Sequence, residues 1–235
     1  MEERSLELEP RQEGTREKAA PVIVRFCLNE IEEHFDENLR YIREQFSMAD
    51  ELFESGKEEE SRNIWRAQIV FLESAFDFYL HELTKFGLSE MFAGNWQKTE
   101  KYNNLSVKMS IVDRALNARE DSAWFLEFVD DFYREITLVS YQSVKDQMNL
   151  LGLNLQEVAD AVFYERDSSV KTKDKLERCL NLLYHQRNVI AHQSGRRHAD
   201  AQREEITKDM VEQYINDVEK IVGKIQGLAR QKELD

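Results

Sequence analysis

After Pro21 the chain contains no further proline, so nothing from residue 22 to 235 removes a backbone N–H or inserts a ring where an α-helix needs neither. Only eight glycines accompany the two prolines, Pro10 and Pro21. Apolar residues recur at three- and four-residue spacings, and the strict alternation of a half-buried strand is absent. Together these features predict long helices. A chain of 235 residues can bury a large core, and its simplest organisation is one domain. The expected fold class is all-α: an antiparallel helical bundle of four principal helices with a helical insertion.

In chain order, residues 1–20 read as a flexible tail and 21–235 as a single helical domain. Pro21 can open a helix running to about Ser55, with Leu28, Ile31, Phe35, Leu39 and Ile42 on one face, and Gly56 closes it. A second helix is expected from about Glu58 to Phe86. Trp65, Ile69, Leu72, Phe76, Tyr79 and Leu83 form its main face, and Phe71, Ala75 and Phe78 widen it, so it reads as central. Its narrow polar line holds Arg66, Glu73 and Asp77, with Ser74 and His81 beside it. Residues 87–104 read as a connection, followed by helices over about 106–118, 122–151 and 155–165. The segment 96–168 is taken as the insertion, and its aromatic residues, at helical spacing, as core rather than base-stacking platforms. The last helix starts near Thr207, an N-cap type, and carries Val211, Tyr214, Val218, Ile221, Ile225 and Leu228.

The most informative stretch is KLERCLNLLYHQRNVIAHQSG, Lys175–Gly195. As a helix it aligns Leu176, Leu180, Leu183, Arg187 and Ile190 on one stripe, which puts a guanidinium where a core residue belongs. A charge that cannot be neutralised needs a carboxylate partner or an anionic ligand there. Glu73 and Asp77, on the polar line of the second helix, are the candidate partners. Ser194-Gly195 is a stop signal, and His192 falls in the last turn, where the helix dipole favours imidazolium. Asn188 and His185 share its edge.

Arg187-Asn188, three residues, then His192, ending a helix in an all-helical chain, resembles the HEPN superfamily. The helix WRAQIVFLESAFDFYLHEL is similar to its RiboL-PSP branch. The resemblance covers roughly residues 61–83 and 175–228. It implies a metal-independent endoribonuclease without a cofactor, acting as a homodimer with a composite active site in which Arg187, Asn188 and His192 are catalytic. It also implies a toxin or phage-defence effector, with room for a protein inhibitor or regulator as partner. Where some members carry a modifiable tyrosine two residues after the histidine, this chain has Ser194, so that regulation is not carried over. The pattern itself is loose: Arg178 and His185 make a second, broader match.

In the expected reaction the RNA 2′-hydroxyl attacks the adjacent phosphorus, with His192 transferring a proton and Arg187 stabilising the transition-state charge. One motif supplies one histidine, and a symmetric dimer would supply two. The motif helix and the last helix carry more apolar surface than one bundle face needs, so an interface including residues 175–200 is expected. The bland alternative is that Arg187 pairs with a core acid and His192 caps a helix. The protein would then be a non-catalytic helical module that dimerises or binds RNA or a nucleotide. A full salt bridge from Arg187 to a buried carboxylate, with His192 packed away from any cleft, is what that reading expects.

A net charge of −14 argues at first against a nucleic-acid partner. Residues 30–60, however, hold twelve acids and three bases, whereas residues 166–203 hold nine bases and four acids. His185, Arg196, Arg197 and His198 are the candidate RNA-binding residues in that basic stretch, and a solvated charged loop is the competing reading. Cys27 and Cys179 have no paired spacing, and no phosphate-cradling glycine loop occurs. The spacing of His185, His192 and His198 has no preferred metal geometry behind it, so no metal is expected. No apolar run approaches membrane-spanning length and the N-terminus lacks the apolar centre of a signal peptide, so no membrane partner and a cytoplasmic location are expected.

Overall fold

A computed structural model describes residues 23–117, 123–193, 195–196 and 201–234. Among them the chain forms nine α-helices: α1 (Leu28–Glu54), α2 (Glu58–Ala93), α3 (Glu100–Asn103), α4 (Met109–Asn117), α5 (Ala123–Tyr133), α6 (Tyr141–Leu151), α7 (Leu155–Phe163), α8 (Thr172–Gln193) and α9 (Lys208–Leu234). No strand occurs among the described residues; one isolated antiparallel bridge joins Arg196 and Arg203. No described helix is long and apolar enough to cross a membrane.

The apolar stripes explain the assembly. Ile31, Phe35, Leu39 and Ile42 of α1 are buried in one cluster with Leu72, Phe76, Tyr79 and Leu83 of α2, each worth about 1.5–3 kcal/mol on full burial. Leu176, Leu180 and Leu183 of α8 and Val211, Ile215, Val218, Ile221 and Ile225 of α9 join the same cluster. Buried hydrogen bonds then set the register. Gln68 Nε2 donates to the Ile42 carbonyl at 2.7 Å, Tyr79 Oη to Gln226 Oε1 at 3.0 Å, and Gln226 Nε2 to the Leu28 carbonyl at 2.6 Å. An unpaired polar group in such a core costs about 1–3 kcal/mol, so these bonds disfavour slippage of α1, α2 and α9 past one another.

Four local readings are corrected. The first helix begins at Leu28 rather than Pro21: Cys27, its N-cap, is extended, Glu30 accepts from the Cys27 N–H at 2.7 Å, and Arg25 pairs with Glu90 at 2.6 Å, tying the residues before α1 to α2. The second helix continues through Gly87 to Ala93 and closes at Gly94, φ 87°. The stretch expected as one helix over 122–151 is two, because α2 captures the backbone between them. Asp77 accepts from the Leu138 N–H at 2.6 Å, His81 Nε2 lies 2.9 Å from the Ile136 carbonyl, and Ser140 caps α6. Phe71 and Phe78, expected to widen the core face of α2, are 50% and 40% exposed. The remaining segments keep their helical character, and Thr207 accepts from the Met210 N–H at 3.3 Å at the start of α9.

The premise of surplus apolar surface on α8 and α9 also changes. Most of both stripes is buried within the chain, with Ile190, Tyr214 and Leu228 half-buried, and Leu182, 41% exposed, is the large hydrophobic residue α8 leaves to solvent.

Gly87 is where α2 meets Trp96 and α6: an added Cβ would lie 2.6 Å from Leu151 Cδ2 and 2.8 Å from a Trp96 ring carbon. Gly87→Ala should therefore lower unfolding stability by about 1–3 kcal/mol in denaturant titration. Gly227→Ala on α9, with nothing within 4 Å of the added carbon, should raise it by roughly 0.5–1 kcal/mol. Equal effects at the two positions would contradict the packing described.

Candidate functional site

On α8 a rotation of 100° per residue separates two faces. One is the buried stripe of Leu176, Leu180 and Leu183. The other, almost opposite, carries Asp174, Arg178, Asn181, His185, Asn188 and His192, at spacings of four, three, four, three and four. All are exposed except Asn188, which is half-buried. Both imidazoles therefore lie on one solvent-facing ridge, with Arg187 turned away from it toward α2.

Arg187 ends beside Glu73. Its Nε is 3.0 Å from Glu73 Oε2; the arginine side chain is 28% exposed and the carboxylate 2%. Arg187 Nη1 donates to Asn188 Oδ1 at 3.0 Å. The ion pair is incomplete as a hydrogen bond: among the described residues neither Arg187 Nε nor Glu73 Oε1 has a hydrogen-bond partner. Burial pushes the Glu73 carboxyl up to about 7; the Arg187 charge works against that shift, and Asp77 one turn away adds to it. Asp77 is not a partner of Arg187, since its carboxylate is taken by the Leu138 N–H and lies 3.7 Å from His81.

Beyond α8 the chain turns back onto the start of α2. Gly195 adopts φ 72°, where a side chain is disfavoured, and an added Cβ would stand 3.3 Å from Arg66 Nε. The Gly195 carbonyl accepts from the Glu204 N–H at 2.8 Å, and Gln186 reaches Glu204 Oε2 at 3.2 Å. Arg66, 7% exposed, donates to Glu59 at 3.0 Å and Asn63 at 2.9 Å. Arg203 donates to the same two side chains. This fastening was missed in the sequence. Its one local signal was Arg66 on the polar line of α2, while its partners lie up to 144 residues away.

The basic stretch is thus partly engaged inside the chain. Arg203 is bound to Glu59, Arg196 Nη1 donates to the Ala201 carbonyl at 2.8 Å, and Lys175 pairs with Glu165 at 2.8 Å. Arg166, Lys171, Lys173 and Arg178 are exposed. Arg197 and His198 lie outside the described residues, as does Ser194. Cys179 is buried, and that burial with the neighbouring Asp217 pushes its thiol up to about 12, which makes it a poor nucleophile. Among the described residues no group of three or more His, Cys, Asp or Glu side chains is arranged to hold a metal ion.

No family model, no curated protein and no solved structure matches the chain.

The Glu73 environment has a measurable consequence. The folded chain keeps a proton on Glu73 up to about pH 7, whereas the unfolded chain releases it near 4.5, so between those values the unfolded state binds fewer protons. Stability from this group is full below about pH 4.5 and is lost as pH rises to about 7. Buried Glu82, also raised by burial, contributes with the same sign. Glu73→Gln should flatten part of that slope in denaturant titrations across the window, and an unchanged slope would mean that Glu73 titrates normally.

Proposed function

We propose that the chain is a metal-independent endoribonuclease of HEPN type, serving as a toxin or phage-defence effector. The observation that carries this reading is the division of α8 near its C-terminal end. Arg187, still partly exposed, has its charge only partly answered by Glu73, while His192 and His185 stand on the exposed ridge beside Asn188. A polyanion laid along that ridge meets proton carriers, and the partly exposed guanidinium, on the α2-facing side of the same helix, is able to take up phosphate charge.

In the reaction the 2′-oxygen attacks phosphorus as its proton passes to His192. The bond to the 5′-oxygen breaks, and that oxygen takes a proton from a second imidazole, leaving a 2′,3′-cyclic phosphate and a 5′-hydroxyl. Proton transfer by such a group contributes roughly 10²- to 10⁴-fold. Arg187 stabilises the phosphorane-like charge, and Asn188 holds the guanidinium through its amide oxygen. The second imidazole comes from a partner copy across the ridge, in a homodimer with a composite site, or from His185 one heptad away. The ridge is mainly polar, so the dimer would rest on polar contacts around Leu182.

The second reading, a helical module that dimerises or binds RNA or a nucleotide without cutting it, is favoured by the contact of Arg187 with a buried carboxylate. The exposure of His192 speaks against it.

Incubation of the purified protein with mixed RNA in EDTA, followed by end-group analysis, should yield cyclic phosphate and 5′-hydroxyl ends. Arg187→Ala and His192→Ala should each abolish cleavage with helical content retained. Both variants cutting at the wild-type rate would defeat the assignment. Heterodimers of wild-type and His192→Ala chains should lose nearly all activity if each centre needs both copies. If they keep about half, and His185→Ala homodimers are inactive, both proton carriers lie on one helix.

A further inference from the structure

We propose that the outer face of the α1–α2 pair is a docking groove for a cationic amphipathic helix of another protein. The groove, of about 480 Å³, runs between the two helices. Phe71 and Phe78, 50% and 40% exposed, line its α2 side, and Tyr41, 51% exposed, lines its α1 side; Met48, 61% exposed, stands beyond the groove on the same face of α1 one heptad farther along. Phe71 and Phe78 are likewise seven residues apart, about 10.5 Å along the helix. That distance equals the separation of side chains at i and i+7 on an incoming helix. Exposed aromatic pairs in a groove between helices are the anchor points of helix-in-groove recognition.

Charge selects the occupant. Along the outer edge of α1, beside Tyr41 and Met48, stand Glu33, Glu37, Glu44 and Glu51, all exposed. Arg40, the cation within this edge, is folded over the Tyr41 ring at 5.1 Å and paired with Glu37 at 3.3 Å. Glu33 and Glu51 have no ion pair among the described residues. A second copy docked about a two-fold axis that crosses α1 would set this glutamate edge against itself, a like-charge contact that opposes association. The chain's own residues 1–22 carry six acids and four bases, again the wrong sign. The rim likewise repels nucleic acid and anionic lipid. A helix with an apolar stripe flanked by lysine or arginine satisfies both the floor and the edge.

The test uses the full chain and a labelled synthetic helical peptide of about 18 residues, five turns, with leucines at i, i+3, i+4 and i+7 flanked by lysines. A second peptide has glutamate in place of each lysine. Fluorescence anisotropy should show the lysine peptide binding at least about ten-fold more tightly than its mate, with that advantage shrinking as NaCl rises from about 50 to about 500 mM. Phe71→Ala with Phe78→Ala should weaken binding by about ten-fold or more while circular dichroism is unchanged. Glu37→Lys with Glu44→Lys should reverse the preference between the peptides. Equal binding of the two peptides, no binding of either, or indifference to both double substitutions overturns the proposal. Dissociation of a dimer by Phe71→Asp assigns the groove to a second copy, and faster hydrogen exchange in residues 1–20 of that variant assigns it to the chain's own N-terminus. Either result overturns the proposal too.

Discussion

Because α2 is buried on most of its circumference, many of the polar side chains it carries are answered from other parts of the chain, and those partnerships position much of the rest. Gln68 ties it to the backbone of α1, and Tyr79 reaches α9 through Gln226. Glu73 faces Arg187 of α8. Asp77 and His81 hold the break between α5 and α6, and Thr84 reaches Gln147 of α6. Glu90 takes Arg25 ahead of α1 and the Asn95 side chain just past its own end. Leaving any of these groups buried and unpaired would cost about 1–3 kcal/mol, comparable to a well-buried leucine. Polar satisfaction thus complements hydrophobic packing: the apolar stripes bring the helices together, and the polar side chains of α2 decide at which register they stop.

The division explains what could be read from the sequence. Long apolar stripes are local signals, so α1, α8 and α9 were legible with their buried faces. The misreadings fall where a distant side chain overrides local periodicity. Nothing between residues 122 and 151 resembles a helix breaker, yet Asp77, 61 residues earlier, captures the Leu138 N–H and ends the helical run. In the sequence Gly87 reads as the first residue of a connection. Its missing side chain instead makes room for Trp96 and Leu151 while the helix continues.

The candidate site was legible to the same depth. An arginine on an apolar stripe signals an unmet charge in any helix, so the need for a partner at Arg187 followed from spacing alone. Which of two acids one turn apart would answer it did not. Glu73 and Asp77 differ by 40° around α2, a difference that only the position of α8 resolves. The proximity of Arg66 to Gly195 was equally hidden, because it depends on how the chain turns after the helix ends.

The acidic net charge weighs less against a polyanionic substrate than its size suggests. Phe71, on the α1–α2 groove, lies about 200° around α2 from Glu73, so the glutamate-rich edge of α1 and the histidine ridge of α8 look in different directions. A helix with its side chains is about 10–12 Å across, and the screening length at physiological salt is about 8 Å. Charges separated by that thickness, each facing solvent, interact only weakly. Local sign then governs recognition on each face. The acids of α1, from Glu30 to Glu54, bear on what approaches that helix, and the exposed bases Arg166, Lys171, Lys173 and Arg178 bear on what approaches the start of α8. One chain can in this way offer surfaces of opposite sign without either cancelling the other.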